Sequence, residues 1–568
     1  MPRRPFSVAA VLLLAGCADS PPPPDVIVIM TDDQGIGDFG FLGSTQVETP
    51  HLDALAAGSA RLAQFYVHPV CAPTRAALMT GRYPQRTRAF DTYVGRALLE
   101  PEETTIAELL KAAGYATGIF GKWHLGDCAP MRPQDQGFDF ALVHRGGGIG
   151  QPSDPPGGEG RYTDPVLLKN GERVEWKGYC TDLYFEAALE WIAQQRAAGK
   201  PYFAYLPTNA PHGPFRDLPA AWLAHYLERF PADDRLARIF AMISNVDENV
   251  GRLVAALAQA GALDNTLVVF LVDNGPNTRR FVGELRGMKT EVHEGGVRSP
   301  LLAHWPARLQ PRLVQAGYGA NIDLLPTILE ACGVEAPGDL DGRSLLPALE
   351  HGAALAERAL VVQAHRGDRP VRHHHFLLRR GRFKLVNPSG FGKQLETAPL
   401  ALELYDLLDD PGEAHDLAAA RPELVAELLA EYDAWFDSTC APEGEYLPPP
   451  IHFGDPAERV VAFTRQDWRR SRSEGDGNWG EQGVWRVRVL ETGPWGFTLR
   501  WRGEPAPVRA VLHCGPFEFA AEVPPGVGTF ELGPVELPLG AHELRVDLHR
   551  TTGAAIGPYQ VLARPIGG

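Results

Sequence analysis

The chain has few basic residues and no internal repeat. Its 568 residues include 54 Lys and Arg against 70 Asp and Glu, which gives a formal net charge of -16. This deficit argues against nonspecific nucleic-acid binding, and it would repel a polyanionic substrate unless the binding site were locally basic. The hydrophobic content of 44% is that of a globular protein, and the length predicts more than one domain.

Long apolar runs are also scarce, and the run near the N-terminus is too short to stay in a bilayer as a spanning helix. It occupies residues 6–14 and follows Arg3 and Arg4. This order of a basic start and a short apolar stretch is typical of an export signal. We therefore expect residues 1–16 to be a cleaved signal peptide.

Residues 14–17, Leu-Ala-Gly-Cys, resemble a bacterial lipobox, in which cleavage leaves Cys17 carrying lipid. The Ala18 that follows resembles lipoproteins passed to the outer membrane. We expect an exported lipoprotein held in the outer membrane through Cys17, with plain secretion as the alternative. Residues 17–24, which include four consecutive prolines, predict a short stiff tether.

Residues 71–81, Cys-Ala-Pro-Thr-Arg-Ala-Ala-Leu-Met-Thr-Gly, predict a helix that begins at a cysteine. Pro73 suits the first turn, where its missing N–H would have no helical partner, and Gly81 suits the helix end. Arg75 lies one turn beyond Cys71 and adds positive charge to a helix N-terminus that already favours anions. On these residues alone Cys71 could also be a disulfide partner or a buried thiol that packs.

Residues 25–440 alternate apolar strands with helical segments, which predicts an α/β fold with a large, mixed, mostly parallel sheet between helices. The predicted strands are residues 25–30, 115–120, 202–206 and 266–272, and the predicted helices are residues 105–113, 183–198 and 238–260. Polar residues follow each strand, namely Asp32 and Asp33, Lys122 and His124, His212, and Asp273 and Asn274. Since ligands bind at the carboxyl ends of the strands in open α/β sheets, we expect these side chains to meet at one site.

Asp32, Asp33, Asp273 and Asn274 offer oxygen ligands. Oxygen ligands suit a hard cation such as Ca2+ or Mg2+, whereas zinc would favour histidine or thiolate. Helix capping explains either pair equally well when that pair is taken alone. The two pairs together with Cys71 favour a cation site.

The pattern Cys-x-Pro-Thr-Arg followed by Thr-Gly-Arg resembles the signature of the type I sulfatases, which are arylsulfatase-like members of the alkaline phosphatase superfamily. The resemblance covers most of residues 25–440 and continues through these segments: Lys122 and His124, His212, Gly287-Met288-Lys289, and residues 294–300. It implies a sulfuric ester hydrolase that acts on a sulfated carbohydrate or an aryl sulfate. It also implies that a formylglycine-generating or equivalent maturation enzyme oxidises Cys71 to Cα-formylglycine, and it favours Ca2+ over Mg2+.

The resemblance also implies a role for each site residue. Formylglycine at position 71 would attack sulfur as its hydrate and would join the four oxygen ligands at the cation, with Asp273 helping to deprotonate it. Lys122 and Lys289 would neutralise the sulfate oxygens, and Arg75 would hold the hydrate. His212 would protonate the leaving alcohol or phenol, and His124 would take a proton so that the aldehyde reforms.

Five cysteines remain if Cys17 carries lipid and Cys71 is converted, namely Cys128, Cys180, Cys332, Cys440 and Cys514. Five thiols in an oxidising compartment can form at most two disulfides, and the sequence does not decide which residues pair.

The pattern changes after the predicted catalytic domain, residues 25–360. Residues 361–445 predict a small antiparallel subdomain that contains a hairpin and resembles the C-terminal subdomain of sulfatases. Residues 452–568 contain short strands between Gly and Pro turns, which predict a β-sandwich accessory domain outside the family resemblance.

Two features of these C-terminal regions could bind a glycan. The tryptophans of the terminal region, Trp468, Trp479, Trp485, Trp495 and Trp501, could stack on sugars, but the pattern favours sandwich core. The basic run at residues 369–375 could form a subsite for an anionic glycan or a metal cluster, but a solvated loop is favoured.

Two other functions are weighed against a sulfatase. A phosphodiesterase or phosphonate monoester hydrolase of the same superfamily could use a similar nucleophile motif. A surface lipoprotein could instead bind sulfated glycans through the terminal sandwich without turning them over.

Overall fold

The structure is a computed structural model that describes residues 22–153, 160–393, 395–440, 446–470, 479–503 and 506–566. The predicted signal peptide, the predicted lipidation of Cys17 and most of the predicted tether lie outside the described residues. Within the described ranges, no helix combines the length and the apolar character that crossing a membrane requires.

The first part of the described chain forms an α/β unit. Its strands are β1 (Asp25–Thr31), β2 (Ala60–Leu62), β3 (Phe65–Tyr66), β4 (Ala116–Lys122), β5 (Phe140–His144), β6 (Val166–Lys169), β7 (Glu172–Glu175), β8 (Tyr202–Pro207), β9 (Thr266–Val272), β10 (Arg298–Ser299), β11 (Leu302–His304), β12 (Arg312–Val314) and β13 (Gly319–Ala320). Its helices are α1 (Pro50–Ala57), α2 (Cys71–Thr80), α3 (Pro84–Thr87), α4 (Ile106–Ala112), α5 (Cys180–Ala197), α6 (Ala220–Arg229), α7 (Asp234–Gln259), α8 (Glu294–Val297), α9 (Leu324–Ala331) and α10 (Leu346–His351).

The large sheet has the strand order β12-β2-β11-β9-β1-β8-β4-β5-β6-β7. Its centre, β9-β1-β8-β4-β5, is parallel, and antiparallel pairs appear towards both edges. β1 is a continuous apolar run because both faces are covered: Val26 and Val28 pack in one apolar cluster and Ile27 and Ile29 in another. The predicted fold class is confirmed.

The strand predictions are accurate at the site. The observed β9 matches the predicted strand, and β1 extends the predicted strand by one residue. β4 runs two residues further than predicted, so that Lys122 is its last residue. The predicted helices are also present as α4, α5 and α7, with ends shifted by one to four residues.

A small antiparallel sheet follows, with the strand order β14-β15-β16-β17. It contains β14 (Ala359–Gln363), β15 (Phe376–Arg380), β16 (Phe383–Asn387) and β17 (Glu403–Asp406), and it is followed by α11 (Pro422–Thr439). The predicted hairpin is β15 and β16, joined through Gly381, which has a φ of 55°. α11 covers one face of this sheet, and Tyr432 stacks on Phe376 with ring centroids 3.8 Å apart.

The described C-terminal residues form two packed sheets, which we call the terminal unit. Its strands are β18 (Ile451–Phe453), β19 (Val461–Thr464), β20 (Arg469–Arg470), β21 (Gly483–Val489), β22 (Pro494–Arg500), β23 (Pro507–Cys514), β24 (Phe517–Glu522), β25 (Thr529–Glu536), β26 (Gly540–Arg550) and β27 (Gln560–Pro565). One sheet has the order β18-β21-β26-β23-β24, with β20 also paired to β21, and the other has the order β19-β27-β22-β25. The pairing is antiparallel except between β18 and β21. The boundaries assigned to the domains in the sequence analysis stay a prediction.

The apolar core of the terminal unit continues into the α/β unit. The same cluster of buried residues includes Trp485 and Trp495 together with Tyr93 and Leu98. The terminal unit therefore shares its core with the loop that contains Tyr93.

The interpretation of the tryptophans as core holds for four of the five. Trp468, Trp485, Trp495 and Trp501 are buried, whereas Trp479 is partly exposed.

The expectation of a solvated loop at residues 369–375 is wrong, since none of these residues is exposed. His374 and His375 are buried, and each ring bonds a backbone carbonyl oxygen. His374 Nε2 bonds Gly390 O at 3.1 Å, and His375 Nε2 bonds Thr290 O at 2.7 Å. The sequence gives no sign of these backbone partners because they come from other loops.

Candidate active site

The predicted helix at residues 71–81 is α2, which begins at Cys71 and ends at Thr80. Gly81 caps it in the left-handed region, with a φ of 67°, and its N–H donates to Ala77 O. Thr74 ties the helix to the end of β9, since its hydroxyl donates to Asp273 O at 2.7 Å. The helix is buried along its whole length, so Cys71 is held rigidly at its N-terminus.

Cys71 lies among charged groups. Its Sγ is 3.4 Å from Lys289 Nζ and 3.7 Å from Asp32 Oδ1. Burial nevertheless raises the pKa of the thiol to about 12. An unmodified Cys71 is therefore a protonated thiol near neutral pH and a weak nucleophile.

The disulfide interpretation of Cys71 is wrong. All six described cysteines, Cys71, Cys128, Cys180, Cys332, Cys440 and Cys514, are free thiols. The five that could have formed up to two disulfides form none in the described part of the chain.

The two predicted oxygen-ligand pairs converge because their strands are parallel neighbours. β1 pairs with β9 through Thr31 and Val272, so Asp32 and Asp273 follow at the same edge of the sheet. The two loops bond directly: Asp33 N donates to Asp273 Oδ1 at 3.2 Å, and Asn274 Nδ2 donates to Asp33 Oδ1 at 2.9 Å.

The converged residues fit a cation. Potential ligand atoms of Asp32, Asp33 and Cys71 all lie within 4.8 Å of one another and are buried. Asp33 Oδ2 and Asn274 Oδ1 are buried with no hydrogen-bond partner in the described chain. Unpaired buried acceptors are rare in native proteins, and these two oxygens are the donor type that a hard cation prefers.

Three cationic side chains surround these carboxylates. Lys122 Nζ lies 2.6 Å from Asp32 Oδ2, Arg75 Nη2 lies 2.7 Å from Asp273 Oδ2, and Lys289 Nζ bonds Asp33 Oδ1. The three positive charges balance the three negative ones, so a divalent cation would leave the site net positive. The described side chains alone are balanced in charge, so the expectation of a locally basic site stays a prediction.

The ionisation states follow from burial and from these pairs. Burial alone would raise the pKa of Asp33, but the charge of Lys289 holds it below its ordinary value. Burial would lower the pKa of Lys289, but the charge of Asp33 raises it. The pKa of Asp273 is raised to about 6 by burial and by the neighbouring charge of Asp32, against the opposing effect of Arg75.

Arg75 bonds groups other than residue 71. Its Nη1 donates to Lys122 O at 2.9 Å, while its Nη2 bonds Asp273. Both contacts fix neighbours of the site, so Arg75 connects α2 with the ends of β4 and β9. The expectation that it holds the hydrate at position 71 stays a prediction.

The two predicted histidines have defined tautomers. His124 Nε2 lies 2.7 Å from Thr92 O, and His212 Nδ1 lies 2.7 Å from Gly213 O. Since a carbonyl only accepts, each of these nitrogens carries the proton. His124 Nδ1 and His212 Nε2 are the remaining nitrogens, and His212 Nε2 faces Asp33 Oδ2 at 3.8 Å.

Both imidazoles are neutral near pH 7. Burial lowers the pKa of His212 to about 4, and it lowers the pKa of His124 well below the ordinary value, with a further contribution from Lys122. Each can therefore accept a proton at its remaining nitrogen.

Glycine backbone packs directly against the two histidines. A Cβ on Gly147 would lie 2.4 Å from His124 Nε2, and a Cβ on Gly148 would lie 2.8 Å from His212 Cε1. Any larger residue at either position would push a histidine ring out of place, which explains the glycines at residues 147 and 148.

Part of this site, including Cys71, the two histidines and Lys289, lines a pocket of about 210 Å3. Cys71, His124, His212 and Lys289 were predicted from the sequence. Sequence reasoning missed Thr92, Tyr93 and Arg366, and it assigned Trp479 to the core. The missed residues lie on loops remote in sequence, where no periodicity or motif marks them.

Comparison with known proteins identifies the chain's relatives. The family model "Sulfatase" matches residues 24–334, and the model "N-sulphoglucosamine sulphohydrolase, C-terminal" matches residues 288–432. The chain is 34% identical to arylsulfatase A of Homo sapiens over 70% of this chain and 85% of that protein. It is 33% identical to N-acetylgalactosamine-6-sulfatase of Canis lupus familiaris over 62% of this chain and 70% of that protein.

A solved structure shares the fold. The crystal structure of Ps i-CgsB superimposes with a TM-score of 0.64 at 29% identity, covering 73% of this chain and 92% of that chain. That protein has also been solved in complex with k-i-k-neocarrahexaose.

Proposed function

The chain belongs to the sulfatase family and is a sulfuric ester hydrolase, and we propose that it releases sulfate from a carbohydrate by using formylglycine formed from Cys71. The observation that carries the mechanism is the pocket itself. Cys71, at a helix start, lines one pocket together with Lys289 and two neutral histidines. Three carboxylates lie beside that pocket and are paired with Lys289, Lys122 and Arg75. Each isolated contact has an ordinary structural explanation, but their convergence on residue 71 does not.

Position 71 needs a modification to serve as a nucleophile, because its buried thiol is protonated. The resemblance supplies one: oxidation by a maturation enzyme would exchange the thiol for an aldehyde. When formed and hydrated, formylglycine supplies a hydroxyl that can attack sulfur. Lys289 Nζ, 3.4 Å from the present Sγ, is placed to interact with whatever group extends from residue 71.

Asp32, Asp33, Asp273 and Asn274 would hold Ca2+. This proposal is supported by the all-oxygen donor set and by the two unpaired buried oxygens of Asp33 and Asn274. When bound, the cation supplies electrostatic stabilisation for negative charge that develops on the sulfate.

The remaining side chains would bind the sulfate or transfer protons. Lys122 and Lys289 would neutralise sulfate oxygens in a poorly solvated pocket, where fixed charges act more strongly than in water. His212 is neutral, so it would first take up a proton at Nε2 and then pass it to the leaving oxygen, while Nδ1 stays bonded to Gly213 O. His124 would accept a proton at Nδ1 while Thr92 O holds its Nε2–H.

A sulfated carbohydrate is the substrate class that the relatives favour. One is named N-acetylgalactosamine-6-sulfatase, and a structural relative has been crystallised with a neocarrahexaose. An aryl sulfate would also reach residue 71 and can serve as a laboratory substrate.

The test is sulfate release by the chain produced together with a maturation enzyme. Sulfated monosaccharides and 4-nitrophenyl sulfate are assayed beside phosphate and phosphonate esters, and Cys71→Ala serves as the control. We expect sulfate release that the Cys71→Ala chain lacks. A strong preference for phosphodiesters would support the alternative hydrolase, and equal rates for both chains would support a glycan-binding protein.

We also propose that the enzyme is an outer-membrane lipoprotein anchored through Cys17. The support is the lipobox-like residues 14–17 and the short proline tether after them. Labelling with a fatty acid in a bacterial host tests it: the intact chain should carry label and fractionate with outer membrane, and Cys17→Ala should do neither. A fully soluble, unlabelled intact chain would favour plain secretion.

A further inference from the structure

The terminal unit bonds the loop that forms one wall of the pocket. Gln466 Nε2 donates to Thr92 O at 3.0 Å, and Gln466 O accepts from Gly95 N at 2.8 Å. Arg469 Nη1 donates to Val94 O at 3.2 Å. These bonds set the position of residues 92–95 relative to the terminal unit.

A second bridge fixes another loop of the pocket. The hydroxyl of Tyr559, in the terminal unit, donates to Gln151 O at 3.2 Å. Gln151 and Thr92 both line the pocket. The terminal unit is thus attached to the pocket on two loops, although the family resemblance does not extend to it.

Among the described residues of the terminal unit, Trp479 lines the pocket. Its ring meets Tyr93 edge to face, with centroids 5.0 Å apart and 85° between the planes. Its backbone is anchored, because the indole of the fully buried Trp468 donates to Trp479 O at 2.9 Å. The side chain is partly exposed, whereas the core tryptophans of the terminal unit are buried.

Tyr93 is also held by Arg366. The guanidinium of Arg366 lies over the Tyr93 ring, 4.0 Å from its centroid, and donates to Thr92 Oγ1 at 2.9 Å. Tyr93 is only 5% exposed, yet its hydroxyl has no hydrogen-bond partner in the described chain. A buried, unpaired hydroxyl on a pocket wall is suited to a polar group of a ligand.

We propose that Trp479 and Tyr93 form a substrate-contacting wall, the aromatic wall, that recognises the ring bearing the sulfate ester. Trp479 would pack against the apolar face of a sugar or aryl ring, and the Tyr93 hydroxyl would bond a substituent of that ring. Trp479 is then a specificity-determining residue that the terminal unit contributes to the active site. This inference rests on the proposed function, because it names what binds beside the sulfate.

The pocket size agrees with this assignment. At about 210 Å3 it is smaller than the roughly 300 to 1,000 Å3 of pockets that enclose drug-sized ligands. It has room for the sulfate ester and the ring that bears it. The charged end at Lys289 and residue 71 would take the sulfate, which leaves the aromatic wall for the ring.

The test separates contact with the ring from contact with sulfate. The intact chain is compared with Trp479→Ala and Trp479→Phe by measuring KM and kcat for 4-nitrophenyl sulfate and the inhibition constant of inorganic sulfate. Trp479→Ala should raise KM on the order of tenfold, because it removes one aromatic contact. Trp479→Phe should recover most of that loss, and the inhibition constant should stay within about twofold in both variants, since free sulfate is proposed to bind at Lys289 and residue 71.

Phe517→Ala is the matched control, since Phe517 is an exposed aromatic residue of the terminal unit outside the pocket lining. It should leave all three constants unchanged.

An unchanged KM in Trp479→Ala would overturn the inference. A parallel rise of KM and of the inhibition constant would also overturn it, because that pattern shows a general disturbance of the site. Wild-type turnover is measured first, so failure of the proposed function appears as absence of sulfate release and is distinct from either result.

Discussion

His212 Nε2 faces Asp33 Oδ2 at 3.8 Å, while the other ring nitrogen of His212 is bonded to Gly213 O. The ring therefore has one free nitrogen, and that nitrogen lies beside a carboxylate proposed to hold the cation. In the proposed mechanism, this bond to Gly213 O keeps the ring oriented when Nε2 takes or gives a proton.

Replacement of His212 by Gln should affect substrates according to their leaving groups. A sugar alcohol needs protonation as it leaves, so kcat/KM for a sulfated sugar should fall by about a hundredfold or more. 4-Nitrophenol leaves readily as its anion, so the loss on 4-nitrophenyl sulfate should be at least about tenfold smaller. His225→Gln, at a partly exposed histidine on α6, is the control. Equal losses on both substrates would refute the general-acid role.

Calcium should stabilise the intact chain and should not stabilise Asp33→Asn. A ligand at about a hundredfold above its Kd adds about 2.7 kcal/mol to the free energy of unfolding. The measurement is the melting temperature with chelator and with added Ca2+, which does not depend on turnover. Asp234→Asn, at an exposed residue of α7, should keep the full response. A Ca2+ response that survives in Asp33→Asn would place the cation elsewhere.

Gly147→Ala should impair catalysis far more than stability. The added Cβ would lie 2.4 Å from His124 Nε2, so the ring must move. Misplacement of a catalytic group by about 1 Å can cost about a hundredfold in rate, and we expect a fall in kcat of that size. Gly338→Ala is the control, because a Cβ there meets open space. A variant with normal kcat would show that His124 is not held in place by the glycine backbone.

Stability should depend on pH through Glu458, which joins the terminal unit to the α/β unit by accepting from Ala129 N at 2.6 Å. Burial raises its pKa from 4.5 to about 7. Between these values the folded protein keeps a proton that the unfolded chain has released, so rising pH removes stability. The effect of this residue is about 3 kcal/mol and is complete above about pH 7.

The measurement is the free energy of unfolding between about pH 5 and about pH 8 for the intact chain and Glu458→Gln. The variant cannot release a proton, so its stability should fall less over this range. Glu491→Gln, at an exposed residue of the terminal unit, should follow the intact chain. Identical pH profiles for the intact chain and Glu458→Gln would contradict the prediction.

The approach of Asp32 to Asp273 could be predicted from the sequence, because it follows from the order of the strands. Asp32 and Asp273 each come directly after an apolar strand, and parallel neighbours bring such residues to one edge. The helix start at Cys71 could be predicted from Pro73 and Gly81, which have local conformational preferences. For these residues, a local sequence pattern predicts the position of the side chain in the fold.

The aromatic wall could not be predicted in this way. Tyr93 lies in an irregular loop, and Trp479 reaches it only because the terminal unit packs on that loop through residues such as Gln466. A tryptophan in a β-sandwich normally belongs to the core, and composition alone does not distinguish the exception. Contacts between distant loops depend on how whole sheets pack, which no short sequence pattern encodes.

The central claim, that residue 71 is a formylglycine nucleophile, is tested most directly by the mass of the tryptic peptide of residues 62–75 from the mature protein of its native host. Replacement of the thiol by an aldehyde exchanges sulfur and two hydrogens for one oxygen, which lowers the peptide mass by about 18 Da. We expect the active protein to carry this lighter peptide, in an amount that tracks sulfatase activity across preparations. A fully active protein whose peptide retains unmodified Cys71 would contradict the account.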